Sequence, residues 1–207
     1  MDWFTYMLVG LLAYLLGSIP WGYIVVRVTR GLDVREYGSG KTGGTNVLRT
    51  AGLKAMLLVA ALDIGKGLAA VLAARFLVGT PASEAVAACC LIAGHNWPVF
   101  LGFRGGSGVG TSVSILLVFS PLTLLICFSL WAIIIALSRY VSLGSITVTL
   151  LAPMILALLV VYAGQPWEHL AATLVIMVLI LLRHRGNIRR LWAGTESRVG
   201  QAAQKLA

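Results

Sequence analysis

A chain of 207 residues that is 59% hydrophobic, only 11% charged and +0.93 in mean hydropathy is poor in the polar surface that a water-exposed fold requires. Soluble domains carry roughly a quarter charged residues, and apolar content this high also excludes disorder. The chain therefore reads as a polytopic membrane protein, and its net charge of +9 raises the question of where the positive charges sit.

The first predicted span covers about 3–26 and is punctuated near its end by Gly17-Ser18-Ile19-Pro20. No basic region precedes it, so it reads as a span and not as a cleaved signal. A polar connection over about 27–54 follows, with Arg27, Arg30, Arg35, Lys41, Arg49 and Lys54 against Asp33 and Glu36. Further spans are predicted at about 55–78 and 84–103, then a glycine-rich break at Arg104-Gly105-Gly106-Ser107-Gly108. An apolar run occupies about 109–137, spans follow at about 141–163 and 167–182, and a basic stretch at 183–190 leads into a polar tail. The expected fold is all-α, a single integral-membrane domain over 1–207.

Basic loops favour the cytoplasmic side, which places 27–54 and 183–190 inside and the Glu84 and Glu168 connections outside. The tail lies inside only if 109–137 crosses twice. Ser120-Pro121 is the natural break, because proline donates no backbone hydrogen bond and restricts the residue before it. About seven spans result, with the N-terminus outside and the C-terminus cytoplasmic. The cost is two short helices of roughly 14 residues, ~20 Å each against a ~30 Å hydrocarbon core.

Three polar clusters fall on one side. In the first, Gly38, Ser39, Gly40, Lys41, Thr45, Asn46 and Arg49 combine backbone amides with hydroxyl and cationic donors, a set suited to an oxyanion. Gly40-Lys41-Thr42 is not a P-loop, since Arg35 stands where that motif needs glycine, and a GxGxxG reading lacks its strand-turn-helix setting. A flexible basic loop is the competing reading. The second cluster, Gly94-His95-Asn96 through Gly105, Gly106, Ser107 and Gly108, could bring backbone donors to a helix N-terminus, or could serve close helix packing. In the third, His184 and Asn187 share a helix face if the last helix continues. Otherwise its arginines simply anchor the span to headgroups. Intramembrane Asp63 and Lys66 can neutralise each other, either in a polar cavity or as a helix register pin, while Arg75 reads as snorkelling outward. Cys89, Cys90 and Cys127 have neither disulfide nor metal-site spacing.

Taken together, Gly38-Ser39-Gly40 through Asn46 and Arg49, Gly94-His95…Gly105-Gly106…Gly108-Val109, and Arg183-His184…Asn187…Glu196 resemble the bacterial integral-membrane glycerol-3-phosphate acyltransferases that use acyl-phosphate. Gly17-Ser18-Ile19-Pro20 and Tyr140-Val141-Ser142-Leu143-Gly144-Ser145 are similar as well. The resemblance implies acyl transfer to the 1-hydroxyl of glycerol-3-phosphate, giving lysophosphatidic acid in phospholipid biosynthesis at the bacterial cytoplasmic membrane. It implies His184, Ser39 and Asn187 as catalytic groups, and phosphate contacts from the first cluster, the glycine loop and Ser145. The implied partners are acyl-phosphate, glycerol-3-phosphate and membrane lipids, with no metal, cofactor or nucleic acid. Two positions depart from the family pattern: Ser107 stands where lysine is usual, and Lys41 where asparagine is usual. Lys41 could restore the missing charge; the alternatives are a relative with altered or no activity, or an anion transporter.

Overall fold

The computed structural model describes residues 3–206, so Met1, Asp2 and Ala207, which carry the two chain ends of the expected topology, lie outside the described residues. The chain is a helical bundle: α1 (Trp3–Gly17), α2 (Trp21–Arg30), α3 (Gly44–Ala51), α4 (Leu53–Leu77), α5 (Pro81–Asn96), α6 (Val109–Phe119), α7 (Pro121–Ser138), α8 (Val141–Ala163) and α9 (Trp167–Trp192). Among the described residues, six stretches are long and apolar enough to cross a membrane, and α6 is a shorter apolar helix. Large apolar side chains such as Phe4, Leu57, Leu125, Met154 and Val178 are exposed, as a hydrocarbon solvent demands.

α5 lies at the centre, packed against α1, α4, α6 and α9. It approaches α1 backbone to backbone: a Cβ on Gly17 would lie 2.2 Å from the Leu91 carbonyl oxygen, and one on Gly94 2.1 Å from that of Tyr14. Small residues make that approach possible where no hydrophobic effect drives helices together. The first span is not one helix. The chain breaks at Ser18–Pro20, and α2 leaves with a polar face and two arginines in its last turn. The break frees carbonyls, and Lys66 takes them: its Nζ donates to the oxygens of Gly17 (3.0 Å) and Ile19 (2.8 Å) while lying 2.8 Å from Asp63 Oδ1.

The 109–137 run does break at Ser120–Pro121. Ser120 caps α7, its Oγ accepting from the Thr123 amide at 3.2 Å, and Pro121 occupies the first turn. The division is unequal, however: α6 has 11 residues, about 16 Å of rise, and α7 has 18, about 27 Å. α6 is the more deeply buried of the two, with five buried residues against two in α7. Arg75 corrects another expectation. It does not snorkel freely but grips Glu84 with two nitrogens (3.0 and 2.7 Å) and donates to the Val118 carbonyl, left open by the end of α6. α9 also overruns its expected limit by ten residues, so the basic 183–190 stretch is helix.

Candidate active site

The first cluster is a loop folded around one side chain. Asn46, in the first turn of α3, accepts the Ser39 amide on Oδ1 at 3.1 Å and donates from Nδ2 to the carbonyls of Val34, Tyr37 and Lys41 at 2.9–3.0 Å. Grouped in the sequence with the substrate contacts, Asn46 instead spends its polar atoms on the loop itself. Gly38 makes this possible: its φ is +56°, and a Cβ there would sit 2.4 Å from Asn46 Oδ1. Gly40 turns the chain at φ +67°. Beside the loop, the Arg35 guanidinium holds the Asp33 carboxyl below its usual range.

The second cluster is clamped from two sides. The Gly106 amide donates to the His95 carbonyl at 3.0 Å, and the His95 ring lies so close that a Cβ on Gly106 would be 2.1 Å from its Nε2. Arg183 reaches from α9 to donate to the Gly106 carbonyl (2.9 Å) and the Gly105 carbonyl (2.8 Å). The Gly106 amide and both glycine carbonyls are therefore committed within the protein, where the sequence suggests an open set of backbone donors. The two glycines fix the path of the loop, and Ser107, Gly108 and the first turn of α6 face the open space. Gly108, at φ +89°, is the N-cap, so the first-turn amides of α6 lack intrahelical acceptors.

On α9, His184 and Asn187 do share a face. His184 Nδ1 lies 2.9 Å from the Ile180 carbonyl. A carbonyl only accepts, so Nδ1 carries the proton and Nε2 is the nitrogen left for a ligand. Asn187 is a bridge: Oδ1 accepts from Lys41 Nζ at 2.9 Å, and Nδ2 donates to Glu196 Oε1 at 2.7 Å. Glu196, buried, also takes Arg190 Nε at 2.7 Å. Lys41 Nζ donates in addition to the Arg183 carbonyl, so this side chain ties the first loop to α9. Burial pushes the Lys41 ammonium down to about 8, the cations Arg183 and Arg190 add to the effect, and Glu196 opposes it. Burial likewise lowers Arg49, whose Nη2 donates to the Ser197 carbonyl at 3.0 Å.

The tail after Glu196 is a strap across this end of the bundle. Its backbone pairs with Gly38 (amide to the Gln204 carbonyl, 2.8 Å), Glu36 (carbonyl from the Leu206 amide, 2.7 Å) and Arg139 (carbonyl from the Val199 amide, 2.8 Å).

These pieces surround a cavity of about 490 Å³. Ser39, Lys41, Thr45, Asn46, Arg49, Ser107, Gly108, His184 and Asn187 line its polar end, together with Asp63, His95 and Glu196. Ser145 lies on its α8 wall with Ser142, and Ser145 Oγ accepts from Trp131 Nε1 at 3.3 Å. The rest is apolar, running between α4 and α7 along Leu57, Ile64, Leu116, Leu124, Phe128 and Val148. Of the residues singled out in the sequence, Gly38, Gly40, Gly105 and Gly106 lie behind this lining as backbone supports. Glu196 and Ser142 stand in the sequence within the family-like motifs but carried no expected site role there, and Trp131 carried no signal at all. Among the described residues, no group of three or more His, Cys, Asp or Glu side chains gathers as a metal site would require.

Residues 7–194 match the family model described as glycerol-3-phosphate acyltransferase. The chain is 43% identical over 198 residues to the glycerol-3-phosphate acyltransferase of Thermoanaerobacter sp. (strain X514), covering 96% of this chain and 98% of that one. It is 44% identical over 196 residues to glycerol-3-phosphate acyltransferase 2 of Moorella thermoacetica, covering 95% and 98%. Its fold is similar to the crystal structure of PlsY, an integral membrane glycerol 3-phosphate acyltransferase, in the glycerol 3-phosphate form. That likeness has a TM-score of 0.87 at 39% identity, over 95% of this chain and 96% of that one. The lysophosphatidic acid form of PlsY superposes with a TM-score of 0.83 at 37% identity over the same shares.

Proposed function

Given that the chain belongs to the glycerol-3-phosphate acyltransferase family, we propose that it moves a fatty acyl group from acyl-phosphate to the 1-hydroxyl of glycerol-3-phosphate, giving lysophosphatidic acid. The observation that carries this reading is the two-ended cavity, cationic and hydroxyl-lined at one end and apolar along α4 and α7. A single ligand with a phosphate head and a hydrocarbon tail satisfies both ends.

Acyl-phosphate is already an activated anhydride. The site has to bind two phosphates, place a hydroxyl and stabilise charge, and it needs no protein nucleophile. In the proposed arrangement Arg49, Lys41, Ser39, Thr45 and the α6 N-terminus with Ser107 and Gly108 hold phosphate oxygens. Asn187 holds Lys41 in place, Asn46 holds the loop, and Ser145 lines the acyl side. His184 Nε2 accepts the hydrogen bond of the attacking hydroxyl. The hydroxyl oxygen bonds to the acyl carbon, the bond from that carbon to the phosphate oxygen breaks, and the hydroxyl proton ends on the departing phosphate. Lys41 takes the role of the cation that Ser107 lacks: its Nζ lies in the same cavity as Ser107, with two of its three protons committed to α9.

The topology that suits this chemistry has seven crossings, as one domain of a bacterial inner membrane, with the N-terminus outside and the C-terminus cytoplasmic. The first loop, the glycine loop, Arg139 and the tail are joined by hydrogen bonds at one end of the bundle. Tyr6 meets Thr80 (3.5 Å), and Arg75 meets Glu84, at the ends of the helices that lead away from them. Purified protein in lipid, given radiolabelled glycerol-3-phosphate and acyl-phosphate, is expected to produce labelled lysophosphatidic acid. Failure to do so, with uptake of phosphate into sealed vesicles instead, would retire the enzyme in favour of a transporter.

A further inference from the structure

Alongside the main cavity, across α6 and α7, is a second, smaller one of about 50 Å³, lined by α6, α7, α8 and α9. The two share Val109, Ser112, Leu116, Cys127 and Val148, and Leu116, Cys127 and Val148 form the apolar part of that common wall. The small cavity reaches along α9 from Ile180 to Thr173, roughly 10 Å at helical rise. Its lining includes hydroxyls, yet each is already spent on its own helix. Ser112 Oγ donates to the Val109 carbonyl (2.8 Å), Thr149 Oγ1 to that of Ser145 (2.7 Å), and Thr173 Oγ1 to that of His169 (2.8 Å). A buried water needs two or more polar partners, and a cavity without them stays dry and takes hydrocarbon.

We propose that this cavity receives the terminal methylenes of the acyl chain, and that the wall of Leu116, Cys127 and Val148 sets the longest chain the enzyme uses well. The inference rests on the acyl-transfer reading above and adds the residues that fix its substrate range. Continuity with the main cavity identifies the occupant: a chain lying along α4 and α7 with its head at Lys41 and Arg49 points its end at Leu116 and Cys127. Size fixes the scale. The volume is about a third of the ~150 Å³ engineered cavity that holds a benzene ring, which leaves room for about two carbons.

Two substitutions away from the polar end act in opposite senses. Cys127→Leu fills the wall, and Thr173→Ala enlarges the far end. The measurement is kcat/KM over saturated acyl-phosphates lengthened two carbons at a time, with purified protein in lipid and saturating glycerol-3-phosphate. Cys127→Leu is expected to lose about tenfold on the longest substrate that wild type uses well, the value of roughly two buried methylenes, while keeping activity on shorter ones. Thr173→Ala is expected to move the optimum longer, with the KM for glycerol-3-phosphate unchanged in both. Should Cys127→Leu melt early, Thr173→Ala, which removes atoms, carries the test alone. An active wild type whose length profile neither substitution moves overturns this proposal only. A wild type inert at every length overturns the acyl-transfer reading, and this proposal with it.

Discussion

Lys41 Nζ donates to Asn187 Oδ1 across 2.9 Å, joining positions 146 apart in the chain, and the same ammonium reaches the Arg183 carbonyl. The first loop is thus held against α9 by a cation whose own charge is made marginal by burial and by the arginines around it. A charge so placed is a strong phosphate ligand, and it titrates close to physiological pH.

The sign of the pH effect follows from that depressed value. Lys41 is charged below about 8 and loses its proton above it, while a bound phosphate favours the charged form. The KM for glycerol-3-phosphate is expected to rise as pH passes about 8, and phosphate binding above that pH to take up a proton. Lys41→Arg stays charged and is expected to flatten the rise. Lys41→Ala at neutral pH is expected to raise KM roughly ten- to a hundredfold, the range for a lost charge-assisted hydrogen bond. Steady-state kinetics across pH reads all three; full activity in Lys41→Ala would end the compensation account.

Ser107 faces the same cavity at the start of α6. If Lys41 supplies the charge that position lacks, Ser107→Lys in the Lys41→Ala background is expected to recover about tenfold or more in kcat/KM. In wild type the same change is expected to add little, since two cations would compete for one anion. No gain in either background would point to a different substrate.

Asn46→Ala tests the loop as scaffold. It removes the donor to three carbonyls and the acceptor of the Ser39 amide, and unsatisfied buried groups cost about 1–3 kcal/mol each. Thermal stability and activity are expected to fall together. Loss of activity with an unchanged melting temperature would make Asn46 a substrate contact instead.

Lys66 closes the gap between α1 and α2 and neutralises Asp63. Lys66→Met leaves the buried Asp63 with only the His95 ring beside it, Nδ1 lying 3.6 Å from Oδ1, and broken buried pairs cost about 3–5 kcal/mol. Asp63→Asn combined with Lys66→Met is expected to melt above the single variant, because no lone charge remains. Thermal denaturation in detergent compares them, and a double variant no better than the single would show that the Gly17 and Ile19 carbonyls are the larger need.

Much of this was legible in the sequence because it rests on local chemistry. Apolar run lengths located the long helices, Pro121 located the break inside 109–137, and the spacing of His184 and Asn187 put them on one face. Charge placement brought the three polar clusters to one end before any contact was known. Other features left no mark in residue types. The strap over residues 197–206 is held mainly by backbone hydrogen bonds to Gly38, Glu36 and Arg139, which have no side-chain signature. Asn46 looked like a ligand because an amide that binds a phosphate and one that binds its own loop are the same residue. Gly105 and Gly106 looked like an open cradle for the same reason, and only the His95 carbonyl and the Arg183 fork show the Gly106 amide and both carbonyls taken. α6 and α7 differ in length and in burial, and two uniformly apolar stretches do not reveal either.

The donor is the most exposed element of the proposed function, and one measurement addresses it directly. Purified protein in lipid is supplied with glycerol-3-phosphate and either an acyl-phosphate or a thioester of the same chain, and lysophosphatidic acid and inorganic phosphate are quantified together. The acyl-phosphate is expected to give one phosphate per lysophosphatidic acid, and the thioester no product. Product from the thioester, with none from acyl-phosphate, would contradict the account.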